Sequence, residues 1–142
     1  MSEERIAEVL AGPHQAVLSV GRAGKGPLAV PMSYRFVDGR FVFVTSPESL
    51  HGKLMTKRGR ATMTVQYDRC EGRSLHQWYV IAEGPVRFTD EDPVPHVRAG
   101  LTKDRGPEFV DEWMGPSAPV GVLTAILEPE RISGWEYRQV LP

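Results

Sequence analysis

Two runs of apolar and aromatic residues, 28–37 and 40–45, meet across Asp38-Gly39. No other part of the chain restricts the fold as much. Asp-Gly between such runs is a strong local signal for a two-residue hairpin, because both central positions of the favoured turn need positive φ. The second run ends in two hydroxyls, Thr45 and Ser46, and a basic stretch follows, His51-Gly-Lys-Leu-Met-Thr-Lys-Arg-Gly-Arg60. That stretch reads as a helix over 47–58, opening at Ser46 or Pro47, with a third strand beginning at Ala61. Hydroxyls, backbone N–H groups at a helix start and nearby cations together make a seat for a phosphate. Singly, Lys53, Lys57, Arg58 and Arg60 read as a solvated helix face. Their convergence after Thr45-Ser46 is what points to a phosphorylated cofactor.

The rest of the chain supports a mainly β reading. Residues 3–10 form an amphipathic helix, with Ser2 as N-cap and Ile6, Val9 and Leu10 as its buried stripe. Strands are expected at 16–20, 61–67, 77–89, 120–127 and 131–137. Gly84-Pro85 marks a bulge or edge within the long strand expected at 77–89. Residues 68–74 read as a charged loop. Two short helices are expected around 94–103 and 107–114, with Pro107 in a first helical turn. Short strands separated by turns indicate a small, mostly antiparallel barrel with peripheral short helices.

Composition narrows function by exclusion. With 142 residues the chain reads as one domain, 1–142, long enough to bury a core without staples. A net charge of -1 gives no general attraction to nucleic acid or to an anionic membrane. No apolar run reaches bilayer length, and the charged start lacks the apolar core of a signal peptide. Cys70 is the sole cysteine, which fits a reducing cytoplasm. His14, His51, His76 and His96 are spread without metal-ligand spacing, so no metal site is expected. The run Gly21-Arg-Ala-Gly-Lys-Gly26 has Ser19 where a phosphate-binding P-loop needs its first glycine, and Gly26 where it needs a hydroxyl. It reads as a hairpin turn.

Several segments, in order, resemble the FMN-binding split-barrel family, the group related to pyridoxamine 5'-phosphate oxidase. Gln15-Ala-Val-Leu-Ser-Val-Gly21 resembles the family's first strand. Leu28-Ala-Val-Pro-Met-Ser-Tyr34 followed by Asp38-Gly-Arg-Phe-Val-Phe-Val-Thr-Ser46 resembles its central hairpin. The basic helix ending in Arg60-Ala-Thr-Met63, the strand Trp78-Tyr-Val-Ile-Ala-Glu-Gly84 and the segment Leu127-Glu-Pro-Glu-Arg-Ile-Ser-Gly-Trp135 complete the match. The sequence departs from the family pattern along the basic helix. His51 falls where a phosphate-binding lysine is expected, Leu54-Met55 replaces Asn-Leu, and Arg58-Gly59 replaces Asp-Pro.

The resemblance implies a split antiparallel barrel that pairs into a homodimer with two cofactors at the interface. FMN is the expected cofactor. The deazaflavin coenzyme F-420 is the alternative, with haem behind both. The phosphate would meet Thr45, Ser46, His51, Gly52, Lys53 and Lys57. The isoalloxazine ring would lie along Pro31, Met32, Ser33 and Tyr34, and Gln77 and Trp78 of the second subunit would close the pocket. A deazaflavin tail would call on Arg22, Lys25 and Arg69, and a haem iron on His51 or His14. The implied activity is hydride transfer to or from a small organic substrate, with the chemistry carried by the cofactor; the alternative is a non-catalytic flavin- or haem-binding split-barrel protein. No acid or base is assigned; Tyr34, His51 and Tyr79 are the polar candidates.

Overall fold

The computed structural model describes residues 1–115 and 120–142. Helix α1 (Glu3–Leu10) leads into strands β1 (Ala16–Arg22), β2 (Lys25–Met32), β3 (Arg35–Val37) and β4 (Arg40–Thr45). Helix α2 (Leu50–Arg58) follows, then β5 (Arg60–Glu71) and β6 (Ser74–Thr89). Helices α3 (Pro93–Arg105) and α4 (Pro107–Met114) precede β7 (Leu123–Leu127) and β8 (Arg131–Val140). All eight strands pair antiparallel, in the order β2-β1-β5-β6-β7-β4-β3, with β8 added on β6. The sheet curls over a core but does not close, since β2 and β3 end the path.

The split is built into β6. One edge of β6 pairs with β5 up to Pro85. The other edge pairs with β8 up to Glu83 and then with β7 from Val86 onward. The β7–β8 connection crosses where the partner changes: Glu128 N donates to Pro85 O at 3.0 Å and Glu130 N to Glu83 O at 2.9 Å. A Cβ on Gly84 would stand 2.0 Å from Glu128 O, so the position admits glycine alone. The expected bulge at Gly84-Pro85 is therefore a close backbone crossing within one continuous strand.

Buried residues form one contiguous cluster. Leu10 of α1, Leu18 of β1, Phe41 and Phe43 of β4, Met55 of α2, Met63 and Val65 of β5, and Val80 of β6 all join it. The first helix and its Ser2 cap stand as expected, with Ser2 Oγ accepting from Arg5 N at 3.1 Å. The Asp38-Gly39 hairpin is also present. Asp38 and Gly39 have φ of 54° and 75°, the pair of positive values this turn type requires. The glycine-rich 21–26 run is a hairpin between β1 and β2, as read.

Several boundaries move. The expected strand 28–37 is two strands: β2 ends at Met32 and pairs with β1, while β3 pairs with β4. Tyr34 causes the break. Its ring turns into the core and its hydroxyl donates to Leu10 O at 2.9 Å. The second helix begins at Leu50 with Ser49 as its cap, not at Ser46 or Pro47. The expected loop 68–74 is the end of the β5–β6 hairpin, paired down to Glu71 and Ser74. Every residue from Asp68 to Ser74 is exposed, because this end of the hairpin is solvated on both faces, so polarity alone misread it. Strand β7 begins at Leu123, later than expected, and β8 runs on to Val140. Helix α4 has the expected bounds, and α3 is longer than expected by a residue or two at each end. Among the described residues no helix is long and apolar enough to cross a membrane.

Candidate functional site

The last residues of β4 and the start of α2 form a compact polar junction. Thr45 is buried, and its Oγ1 lies 2.6 Å from His51 Nε2. Ser49 Oγ donates to Ser46 O at 2.6 Å, accepts from Gly52 N at 3.1 Å and lies 3.2 Å from His51 Nε2. Ser46 Oγ accepts from Glu48 N at 3.2 Å. Gly52 makes this packing possible, because a Cβ there would fall 2.2 Å from Ser46 O and 2.9 Å from Pro47 Cα. Burial pushes the His51 imidazole below its ordinary value, which favours the neutral ring.

Helix geometry leaves the amides of Leu50 and His51, the first two positions of α2, without an intrahelical acceptor. Lys53 and Lys57 lie one turn apart on the same helix, both exposed. Among the described residues neither has a carboxylate within salt-bridge distance. Arg60 differs: it grips Glu130 through two bonds of 3.1 and 2.7 Å, so this cation is already engaged. The structure thus places Thr45, Ser46, His51, Gly52 and Lys53 at one strand-to-helix junction, whereas Lys57 lies in the last turn of α2. Ser49 belongs with them and was missed in the sequence. Its signal was there, a serine three residues before Gly52 at a helix start, but Ser46 competed for the cap.

The expected ring strand divides. Pro31 is exposed on the outer face of the sheet opposite Val17, whereas Met32 points inward. Ser33 and Tyr34 form the link to β3. Ser33 Oγ donates to Asp104 Oδ2 at 2.7 Å. Asp104 pairs with Lys103 at 2.5 Å, and Lys103 also donates to His14 O at 2.8 Å and stands 4.2 Å over the Tyr34 ring. This cluster pins α3 to the link and to the turn after α1. Burial, then the Asp104 charge, push the Tyr34 phenol well above its ordinary value. With its hydroxyl committed to Leu10, Tyr34 does not offer a proton to a ligand, which corrects its reading as an acid candidate.

Trp78 is likewise a core residue in this chain. It is 4% exposed, stacked on Tyr67 at 5.8 Å and met edge-on by His14 at 4.8 Å. Its indole face is therefore used internally and is not presented to a second subunit. Gln77 is partly exposed, with Nε2 donating to Asp68 Oδ1 at 3.1 Å. Tyr79 stacks on Trp135 at 5.6 Å on the outer face of the sheet, away from the β4–α2 junction.

A second feature was not read from the sequence. A cavity of about 110 Å³ lies between α3 and the β3–β4 hairpin. Ser33, Tyr34, Val42, Val44, His96 and Leu101 are among its lining residues. Arg35 Nη1 lies 3.0 Å from His96 Nδ1. Guanidinium has only donors, so Nδ1 accepts and the ring hydrogen sits on Nε2. Among the described residues, no three His, Cys, Asp or Glu side chains gather as they would around a metal.

No family model and no curated protein sequence matches the chain. Solved structures do. A conserved hypothetical protein, Rv2991 from Mycobacterium tuberculosis, superposes with a TM-score of 0.74 at 19% identity, covering 96% of this chain and 85% of that one. An FAD-binding protein (mll6688) from Mesorhizobium loti gives a TM-score of 0.67 at 19% identity over 96% of both chains. An F-420 reductase gives 0.58 at 17% identity over 89% of this chain and 94% of that one. At such identities the likeness is one of fold, and the fold is that of the FMN-binding split-barrel proteins.

Proposed function

We propose that this chain is a flavin-dependent oxidoreductase that seats FMN at the β4–α2 junction of a homodimer and transfers hydride to or from a small organic substrate. The observation that carries the reading is that junction. Two helix amides without an intrahelical acceptor, and Lys53 in the first turn of the same helix, accompany a knot of hydroxyls and the His51 imidazole, with Lys57 further along α2. Such a donor set fits a phosphate dianion. FMN supplies the hydride chemistry when bound, and this chain's residues hold the phosphate and orient the ring.

The choice of FMN over the deazaflavin rests on the family resemblance, and the outlying cations bear on the alternative. A long anionic tail needs free positive charge. Arg69 is paired with Glu71 at 3.0 Å. Arg22 donates from Nε to Gly26 O at 2.8 Å but keeps its charge, and Lys25 stands without a partner among the described residues, so two cations remain for such a tail. Haem is the weaker reading. His51 Nε2 is held by Thr45, and His14 packs against Tyr67 and Trp78, so neither imidazole projects freely toward an axial position.

The homodimer is supported by the outer sheet face. Val17, Tyr79, Ile81, Trp135 and Tyr137 are all exposed there, and the last two stack on each other at 6.0 Å. A contiguous apolar stripe of this kind on a sheet marks an interaction surface.

The test is a titration with FMN and then with the oxidised deazaflavin coenzyme, read by tryptophan quenching and melting temperature. Selective FMN binding, weakened about tenfold in a Lys53→Ala/Lys57→Ala double variant and more at low than at high salt, is expected. Binding of neither cofactor would refute the proposal.

A further inference from the structure

We propose that the cavity between α3 and the β3–β4 hairpin is a binding site for a small, largely apolar carbonyl compound, with His96 Nε2–H as the donor to its oxygen. As a statement of substrate class it rests on the flavin reading above; as a binding site it stands on its own geometry.

Three observations converge. The first is size. At about 110 Å³ this half-open pocket is smaller than the 150 Å³ engineered void that holds benzene, a size that suits a five-membered ring or a short chain. The second is lining. Val42, Phe43, Val44, Val97 and Leu101 make five of the nine lining residues aliphatic or aromatic hydrocarbon, which selects against charged ligands. Gly100 keeps the α3 side open, because a Cβ there would already approach Ser33 Oγ to 3.3 Å.

The third is a donor of fixed direction. Arg35 holds His96 through Nδ1 at 3.0 Å, which places the hydrogen on Nε2 and fixes the ring. The nearest carboxylate to Nε2 is Glu91 Oε2 at 3.6 Å, too far for a good hydrogen bond. The other polar group in the wall, Ser33 Oγ, already donates to Asp104. His96 Nε2–H faces Glu91 beyond hydrogen-bond reach, so among the described residues it is the one lining side-chain donor without an acceptor. Ser33 and Tyr34, which line the cavity, also belong to the segment that the family resemblance assigns to the flavin ring.

Cyclopentanone and its isostere methylenecyclopentane, which lacks only the acceptor oxygen, are the probes. Each is titrated into full-length protein labelled with 15N-histidine, following the His96 Nε2–H resonance and line broadening of the probe. Saturable binding of cyclopentanone with a shift of that resonance is expected. His96→Phe should weaken cyclopentanone about tenfold and leave methylenecyclopentane within twofold. Val97→Phe, which fills the cavity, should remove both. Equal affinity of wild type and His96→Phe for cyclopentanone, or binding that survives Val97→Phe, overturns the proposal. FMN is titrated in the same samples. Retained FMN binding in both variants assigns the loss to the cavity. Ketone binding by a protein that takes no FMN refutes the flavin reading and supports the cavity as a site in its own right.

Discussion

Gly52→Ala separates local propensity from tertiary packing. Gly52 occupies the third position of α2, where alanine should favour the helix by about 1 kcal/mol. The structure predicts the opposite sign. The new Cβ would stand 2.2 Å from Ser46 O and 2.9 Å from Pro47 Cα, both backbone atoms with no rotamer to escape into. The first gap must open from 2.2 Å to beyond 3.0 Å, a shift of about 0.8 Å. That shift lifts α2 off the β4 exit and stretches the Ser49–Ser46 and Thr45–His51 bonds. Overpacking costs roughly 1–3 kcal/mol, and two weakened hydrogen bonds add roughly 1 kcal/mol each. Against the propensity gain, the net destabilisation is about 2–4 kcal/mol. Urea unfolding at unchanged m-value should report it directly, and the melting temperature should fall by about 6–12 °C for a chain of this size. FMN affinity should fall with it. Gly21→Ala, where a Cβ meets nothing within 4 Å, serves as control and should change stability by less than about 0.5 kcal/mol. A Gly52→Ala variant as stable as wild type would refute the close-approach argument.

Other perturbations test other parts of the structure. Glu136 accepts from Arg5 at 3.0 and 2.7 Å and lies 2.8 Å from His76 Nε2; these contacts hold its carboxyl down to about 2 against the ordinary 4.5. Because the folded value lies below the unfolded one, this stabilisation is present above about pH 4.5 and is lost as pH falls toward 2. Glu136→Gln should remove about 1–2 kcal/mol after discounting solvent screening, and should flatten the acid limb of an unfolding-versus-pH curve. An unchanged acid limb would count against the network. Ser49→Ala should cost about 1 kcal/mol by loss of the α2 cap, measured by the same unfolding assay, whereas Ser46→Ala should cost less. Trp135→Glu on the outer sheet face should convert a dimer to a monomer in light scattering while leaving the far-ultraviolet circular dichroism unchanged; a wild type already monomeric at high concentration would sink the dimer.

Much of the architecture was legible because it depends on short-range chemistry. Asp38-Gly39 announces its turn through the backbone conformations those two residues tolerate. Ser2 and the Ile6, Val9, Leu10 stripe specify α1, and Pro107 sets the start of α4, each within one or two helical turns. The cluster from Thr45 to Lys57 could be proposed as a phosphate seat because strand end, helix start and cations are contiguous in the chain, although the cap proved to be Ser49. What local sequence could not supply was the choice among long-range partners. Tyr34 looks like any strand aromatic until Leu10 O, twenty-four residues earlier, accepts its hydroxyl and breaks the strand. Trp78 looks like an interface residue until His14 and Tyr67 enclose it. His96 carries no signal of its own and acquires a fixed tautomer and a cavity only when Arg35 is folded against it from another element. Turns and caps are decided by a few neighbouring dihedral angles. Burial, tautomer and cavity are decided by which distant residues the sheet brings together.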